Sequence, residues 1–225
     1  MALTEGKEEM QVGTNYSSEE ISKKLDELVT TARQIILQKG TKIELTYPVL
    51  YFMSIIDKSI KLIDSSLFAL EQKNITVLAI LTRVQMDCVF RAYALTLVSD
   101  DDDFAKEIIG NNKQINHLKS STGENMTDQY LANKVGDWLN LPVYDLYKKV
   151  CGFVHFSDSN LHTMISSIEA DGFSMLSFTK ENPPGKDEDF RRLSLELANQ
   201  FLFFGDILVN SLFDSWVKQC VNVSE

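Results

Sequence analysis

The sequence contains no glycine-rich phosphate loop, no paired CxxC units, no HExxH helix and no nucleophile elbow. The signatures that most often identify nucleotide hydrolases, zinc enzymes and serine hydrolases are therefore missing. Cysteine is scarce: Cys88, Cys151 and Cys220 are odd in number, widely spaced and set among apolar residues. They read as small core residues rather than as a disulfide framework or a metal site, and the expected location is cytoplasmic. Residues 1–17 lack the apolar segment of a signal peptide and read as a flexible polar leader. Positive charge is also in deficit, with 22 Lys and Arg against 32 Asp and Glu, a formal net charge of −10 and a pI near 4.8. Long-range repulsion then excludes duplex DNA and anionic lipid as partners, and any RNA or nucleotide needs a local basic pocket.

Uninterrupted apolar runs are absent too. Ile75 to Val98 would make about 36 Å of helix, enough to span a bilayer. Arg83, Gln85, Asp87 and Arg91 sit in its middle, however, and each would cost several kcal/mol in lipid. A buried core helix is expected, and no membrane. The stretch from Phe201 to Phe213 is too short to span and contains Asp206.

What is present is enough apolar surface for one large core: 44% of 225 residues are hydrophobic. The expectation is a mainly α multi-helix bundle forming one domain over 18–221, followed by a short tail at 222–225. Ser17 and Glu20 fit a capping box opening a first helix that Gly40 would end. Pro48 suits the start of a second, which carries Phe52, Ile55, Ile56, Ile60, Ile63, Leu67 and Leu70 at helical spacing. Asn74 caps the third, which is apolar nearly all round and therefore central. The acidic run Asp100 to Asp103 lacks the ligand spacing of a calcium loop and reads as the start of a short helix holding Phe104, Ile108 and Ile109. Residues 110–123 are polar and read as a mobile loop. Two more helices are expected, near Thr127 to Leu139 and from Pro142, the latter with Leu146, Val150 and Val154 facing inward. Near-alternation around Ala170-Asp171-Gly172 predicts a small β-hairpin near 162–180 packed on the helices. A long last helix is expected from about Asp187 to Val221, with long central and C-terminal helices packed together.

Two polar features stand out against this core. Arg83, Asp87 and Arg91 are spaced by four residues and share one stripe about 80° wide. One carboxylate between two guanidinium groups leaves net positive charge and unused N–H donors, suited to a phosphate or carboxylate. The competing reading is that all three pair with acidic groups on adjacent helices and fix helix register. The second feature is the segment from Tyr147 to His162, where two of only three histidines lie seven residues apart. His155 is the candidate acid–base residue, with Asp158 or Asp87 orienting its ring, and Arg83, Asp87, Arg91, Tyr147 and His162 the candidate ligand-binding set. As a structural residue, His155 would instead cap a helix C-terminus. A zinc site from His155, His162 and Asp158 lacks an assured further ligand, so no metal and no cofactor are expected.

The segments Thr82-Arg83-Val84-Gln85-Met86-Asp87 and Gly152-Phe153-Val154-His155-Phe156-Ser157, with Tyr147 before the second, resemble a group of poorly characterised prokaryotic helical proteins distantly similar to the HEPN superfamily. The likeness covers roughly the middle half of the chain. It implies a helical fold, RNA or a nucleotide as ligand, a homo-oligomer with its site at a dimer interface, and a place in a defence or stress module. HEPN ribonucleases carry an Arg, four to six residues, then a His; here Lys149 and Lys148 precede His155 at six and seven residues. Lys113 precedes His117 in a loop-like stretch, so only His155 carries over. The alternative function is a non-catalytic interaction or scaffold protein whose apolar faces support a homodimer.

Overall fold

Ser17 and Glu20 do form a capping box. The Ser17 backbone N–H and hydroxyl both donate to the Glu20 carboxylate at 2.8 Å, and the Glu20 N–H donates back to Ser17 Oγ at 3.3 Å. They start α1 (Ser18–Lys39), which buries Ile21, Leu25, Leu28, Ala32 and Ile35 at helical spacing. The computed structural model describes residues 16–39, 44–154, 165–168, 174–176 and 187–222; Gly40, the expected helix stop, lies outside them. Tyr16, expected in the leader, is tied down instead: its N–H donates to Asn199 Oδ1 at 3.1 Å and its carbonyl accepts from Asn199 Nδ2 at 3.3 Å.

Pro48 occupies the first turn of α2 (Tyr47–Glu71), where a missing N–H costs nothing. Phe52, Ile55, Ile56, Ile63 and Leu70 are buried along it, with Ile60 and Leu67 partly so. Asn74 Oδ1 accepts from the Val77 N–H at 3.1 Å and opens α3 (Ile75–Ala94). This helix is shorter than its apolar run, because Leu95–Leu97 tighten into a 3-10 turn. Asp100 then caps α4 (Asp101–Ile109) by accepting from the Asp103 N–H at 2.9 Å. The helix holds Phe104, Ile108 and Ile109 as expected, with Phe104 buried and Ile109 exposed.

Residues 110–123, expected to be mobile, are held at several points. Ile115 and Ser120 are buried, the Ser121 N–H donates to the Leu97 carbonyl at 2.8 Å, and Lys119 bridges to Asn125. Polar composition concealed these anchors because backbone groups make most of the bonds. Thr127 caps α5 (Asp128–Leu139), and α6 (Val143–Val154) follows Pro142. The buried line of α6 is Val143, Tyr147, Val150 and Phe153, while Val154 is exposed and Leu146 only partly buried. The expected stripe was one phase off, and the observed one turns Tyr147 inward.

Beyond α6, β1 (Ile165–Ile168) and β2 (Ser174–Leu176) run antiparallel with Ile165 opposite Leu176. The expected turn at Ala170-Asp171-Gly172 lies outside the described residues, and the fold is a mainly helical bundle. The last helical stretch is continuous but not uniform: α7 (Asp187–Asp206) widens into a π-helical segment, Ile207–Phe213, before α8 (Asp214–Asn222). Ile207, Leu208, Val209, Leu212 and Phe213 of that segment are all buried.

Helix α3 is the hub, packing on α2, α5, α6 and α7. Its two fully buried polar side chains, Thr82 and Gln85, are satisfied. Gln85 and Ser59 exchange hydrogen bonds at 2.8 and 3.0 Å, and Thr82 Oγ1 donates to the Leu197 carbonyl at 3.1 Å. A Cβ on Gly205 would sit 3.2 Å from Leu28 Cδ1 and 3.4 Å from Gln85 Nε2, so the absent side chain lets α7 approach α1 and α3 closely. Among the described residues, no helix is long and apolar enough to cross a membrane.

Candidate functional site

The stripe on α3 meets α5 and α6 at one partly open edge of the bundle. Arg83 Nη1 donates to Asp87 Oδ2 at 2.8 Å, one helical turn away. Arg83 Nη2 donates to the Tyr147 hydroxyl at 2.8 Å, and that hydroxyl donates onward to Asp128 Oδ2 at 3.1 Å. Arg91 Nη2 donates to Asp128 Oδ1 at 2.6 Å, while Arg83 Nη2 lies 4.0 Å from Asp128 Oδ2. Four of the candidate residues, Arg83, Asp87, Arg91 and Tyr147, are thus brought together. His155 and His162 lie outside the described residues.

The carboxylate that links the two arginines is Asp128, not Asp87. Spacing alone favours the Asp87–Arg91 pair, in which the acid precedes the base by one turn. Arg91 turns instead to the first residue of α5, whose carboxylate also receives Tyr147, so one acceptor serves two helices. Asp128 was missed because the sequence shows it only as an acidic residue in a helix's first turn, which the helix dipole explains equally well. The expected net positive charge disappears with it: two guanidinium groups face two carboxylates. The unused donors do exist. Arg83 Nε and Arg91 Nη1, together with Asp87 Oδ1, are buried and have no partner among the described residues.

Burial separates the two acids. It pushes the Asp87 carboxyl up, outweighing the pull of Arg83 and Arg91, and Asp128 adds to the rise. Burial also opposes ionisation of Asp128, but the hydrogen bond and charge of Arg91, with Tyr147 and Arg83, hold that carboxyl below its usual range. Burial and then the two carboxylates push the Tyr147 phenol up, so it stays protonated and can donate. Phe90 supports the tyrosine from below, its ring 5.3 Å from that of Tyr147. The Cys151 thiol, expected in the core, is half-buried against Arg83. Cys88 is a core residue, as expected, and burial pushes its thiol up to about 11.

These directions predict opposite pH dependences. Both acids titrate near 3.9 when unfolded. Because the folded pKa of Asp87 is raised, its contribution is full below the unfolded value and is lost as pH rises through the folded one. Because that of Asp128 is lowered, its contribution is full above the unfolded value and is lost as pH falls through the folded one. Urea melts from pH 3 to 7 should show Asp128→Asn losing part of the acid-side decline and Asp87→Asn losing part of the decline toward neutrality. A shift of both profiles in the same sense would contradict the assignment.

The chain matches no protein-family model, no curated protein and no solved structure.

Proposed function

We propose that the protein is a HEPN-like helical protein that binds RNA or a nucleotide at the edge formed by α3, α5 and α6. The observation that carries this reading is the pair of arginines, one turn on either side of Asp87, Arg83 fixed by a protonated tyrosine hydroxyl and Arg91 by Asp128, and both retaining buried N–H donors without partners among the described residues. A planar guanidinium pair with a neutral O–H donor suits a phosphate group. The net charge of −10 argues for a short or terminal phosphate rather than a duplex, since long-range repulsion grows with the number of phosphates. His155 enters as the acid–base group through the resemblance, which carries over that histidine alone.

The test has two arms. Wild-type protein should bind adenosine 5′-monophosphate or a short 5′-phosphorylated RNA by calorimetry, with affinity lost in Arg91→Gln. Labelled mixed RNA should be cut by wild type and spared by fold-checked His155→Ala, with and without divalent metal. Binding without cleavage would retain the ligand site and remove the ribonuclease; neither would reject the reading.

A scaffold reading draws on a different observation. Leu37 on α1, Leu45 just before α2, and Tyr47 and Leu50 on α2 are exposed large apolar side chains, of the kind a homodimer contact would cover. Sedimentation equilibrium at micromolar concentration, with Leu50→Glu as the disrupting variant, decides it.

A further inference from the structure

We infer that Asp128 is a built-in counter-anion that occupies the position of the ligand's anionic group and must be displaced for the ligand to bind. The inference rests on the reading of this edge as an anion site, and it adds how that site is regulated. Asp128 is held as a bound anion would be: Oδ1 accepts from the Arg91 guanidinium at 2.6 Å and Oδ2 from the Tyr147 hydroxyl at 3.1 Å, with Arg83 Nη2 at 4.0 Å. Both oxygens of one carboxylate are therefore engaged by donors from two different helices, the arrangement by which proteins grip carboxylates and phosphates.

The two acids of the cluster differ in the way displacement requires. Asp87 belongs to the same helix as Arg83, one turn away, and its side chain is only 18% exposed, so water gives it little to turn to. Asp128 stands at the first turn of α5, on a different element from both arginines, and its side chain is 37% exposed, more than either arginine at 25% and 27%. A rotation of its side chain toward solvent would release one Arg91 donor and the Tyr147 hydroxyl together. An entering anion replaces the charge of the departing carboxylate, so the exchange buries no unpaired guanidinium. The class of ligand follows: a phosphate ester or carboxylate presenting two oxygens to Arg91 and Tyr147, with Arg83 alongside.

Chemical rescue tests this without knowledge of the natural ligand. Asp128→Ala should melt several degrees below wild type, and millimolar phosphate or formate should restore most of that loss, with chloride at equal ionic strength restoring none. Wild type, its site filled by its own carboxylate, should gain little from the same salts. No restoration, or an equal gain in wild type, would overturn the inference. Where Asp128→Ala does not fold, the isosteric Asp128→Asn serves: it should bind adenosine 5′-monophosphate at least tenfold more tightly than wild type, and Asp87→Asn should not. Equal tightening by both variants means general electrostatics and overturns displacement. Rescue by phosphate without nucleotide binding in any form would uphold the counter-anion and sink the nucleotide reading alone.

Discussion

Phe90→Ala is expected to lower the free energy of unfolding by about 3–5 kcal/mol, measured by urea denaturation. Phe90 lies on α3 with no exposure at all, among the largest fully buried side chains of the bundle. Truncation removes the transfer free energy of an aromatic ring and leaves a cavity beside Tyr147, which also loses an aromatic partner 5.3 Å away. Because α3 contacts four other long elements, the cavity opens where neighbours are held by their own packing and collapse is least able to fill it. The same substitution at Phe68, 65% exposed on α2, should change stability by less than about 0.5 kcal/mol. Similar losses at both positions would mean that α3 is not the hub. The site should register the change at Phe90 as well: Tyr147 positions a hydroxyl between Arg83 and Asp128, and a tilted ring misplaces it.

Most of the helical scaffold was legible because its signals are local. Ser17 with Glu20, Pro48 and Asn74 each act within one turn of chain, and each stands at a helix start in the structure. The phase of α6 was not legible: Leu146, Val150 and Val154 fit a helical stripe as well as Val143, Tyr147, Val150 and Phe153 do. Only packing against α3 and α5 chooses between them. The site divided in the same way. Spacing placed Arg83, Asp87 and Arg91 on one stripe, but the identity of the linking acid depended on α5 delivering Asp128, a contact spanning 37 residues of sequence. The polar 110–123 stretch was misjudged for a related reason: composition reports solubility of side chains, whereas Ser121 and Lys119 are held through their backbones.

Arg83→Ala should cost about 2 kcal/mol, less than the roughly 3–5 kcal/mol of breaking a fully buried pair, because its side chain is a quarter exposed and water replaces part of what is lost. The loss comes mainly from what remains behind. Asp87 loses the donor on Oδ2, so both its oxygens then lack a partner among the described residues, and it faces Asp128 with less opposing charge, while Tyr147 loses its donor. Adding Asp87→Asn removes that stranded charge, so the double variant should recover roughly 1 kcal/mol of the single loss in a double-mutant cycle. The penalty should also shrink at low pH, where the raised pKa of Asp87 lets it protonate and dispense with a partner. Simple additivity would mean that Arg83 and Asp87 do not depend on one another. A loss below about 0.5 kcal/mol together with abolished nucleotide binding would assign Arg83 to the ligand alone. A loss of about 2 kcal/mol with binding also abolished is the outcome expected of an arginine that both holds α3 to α6 and faces the phosphate.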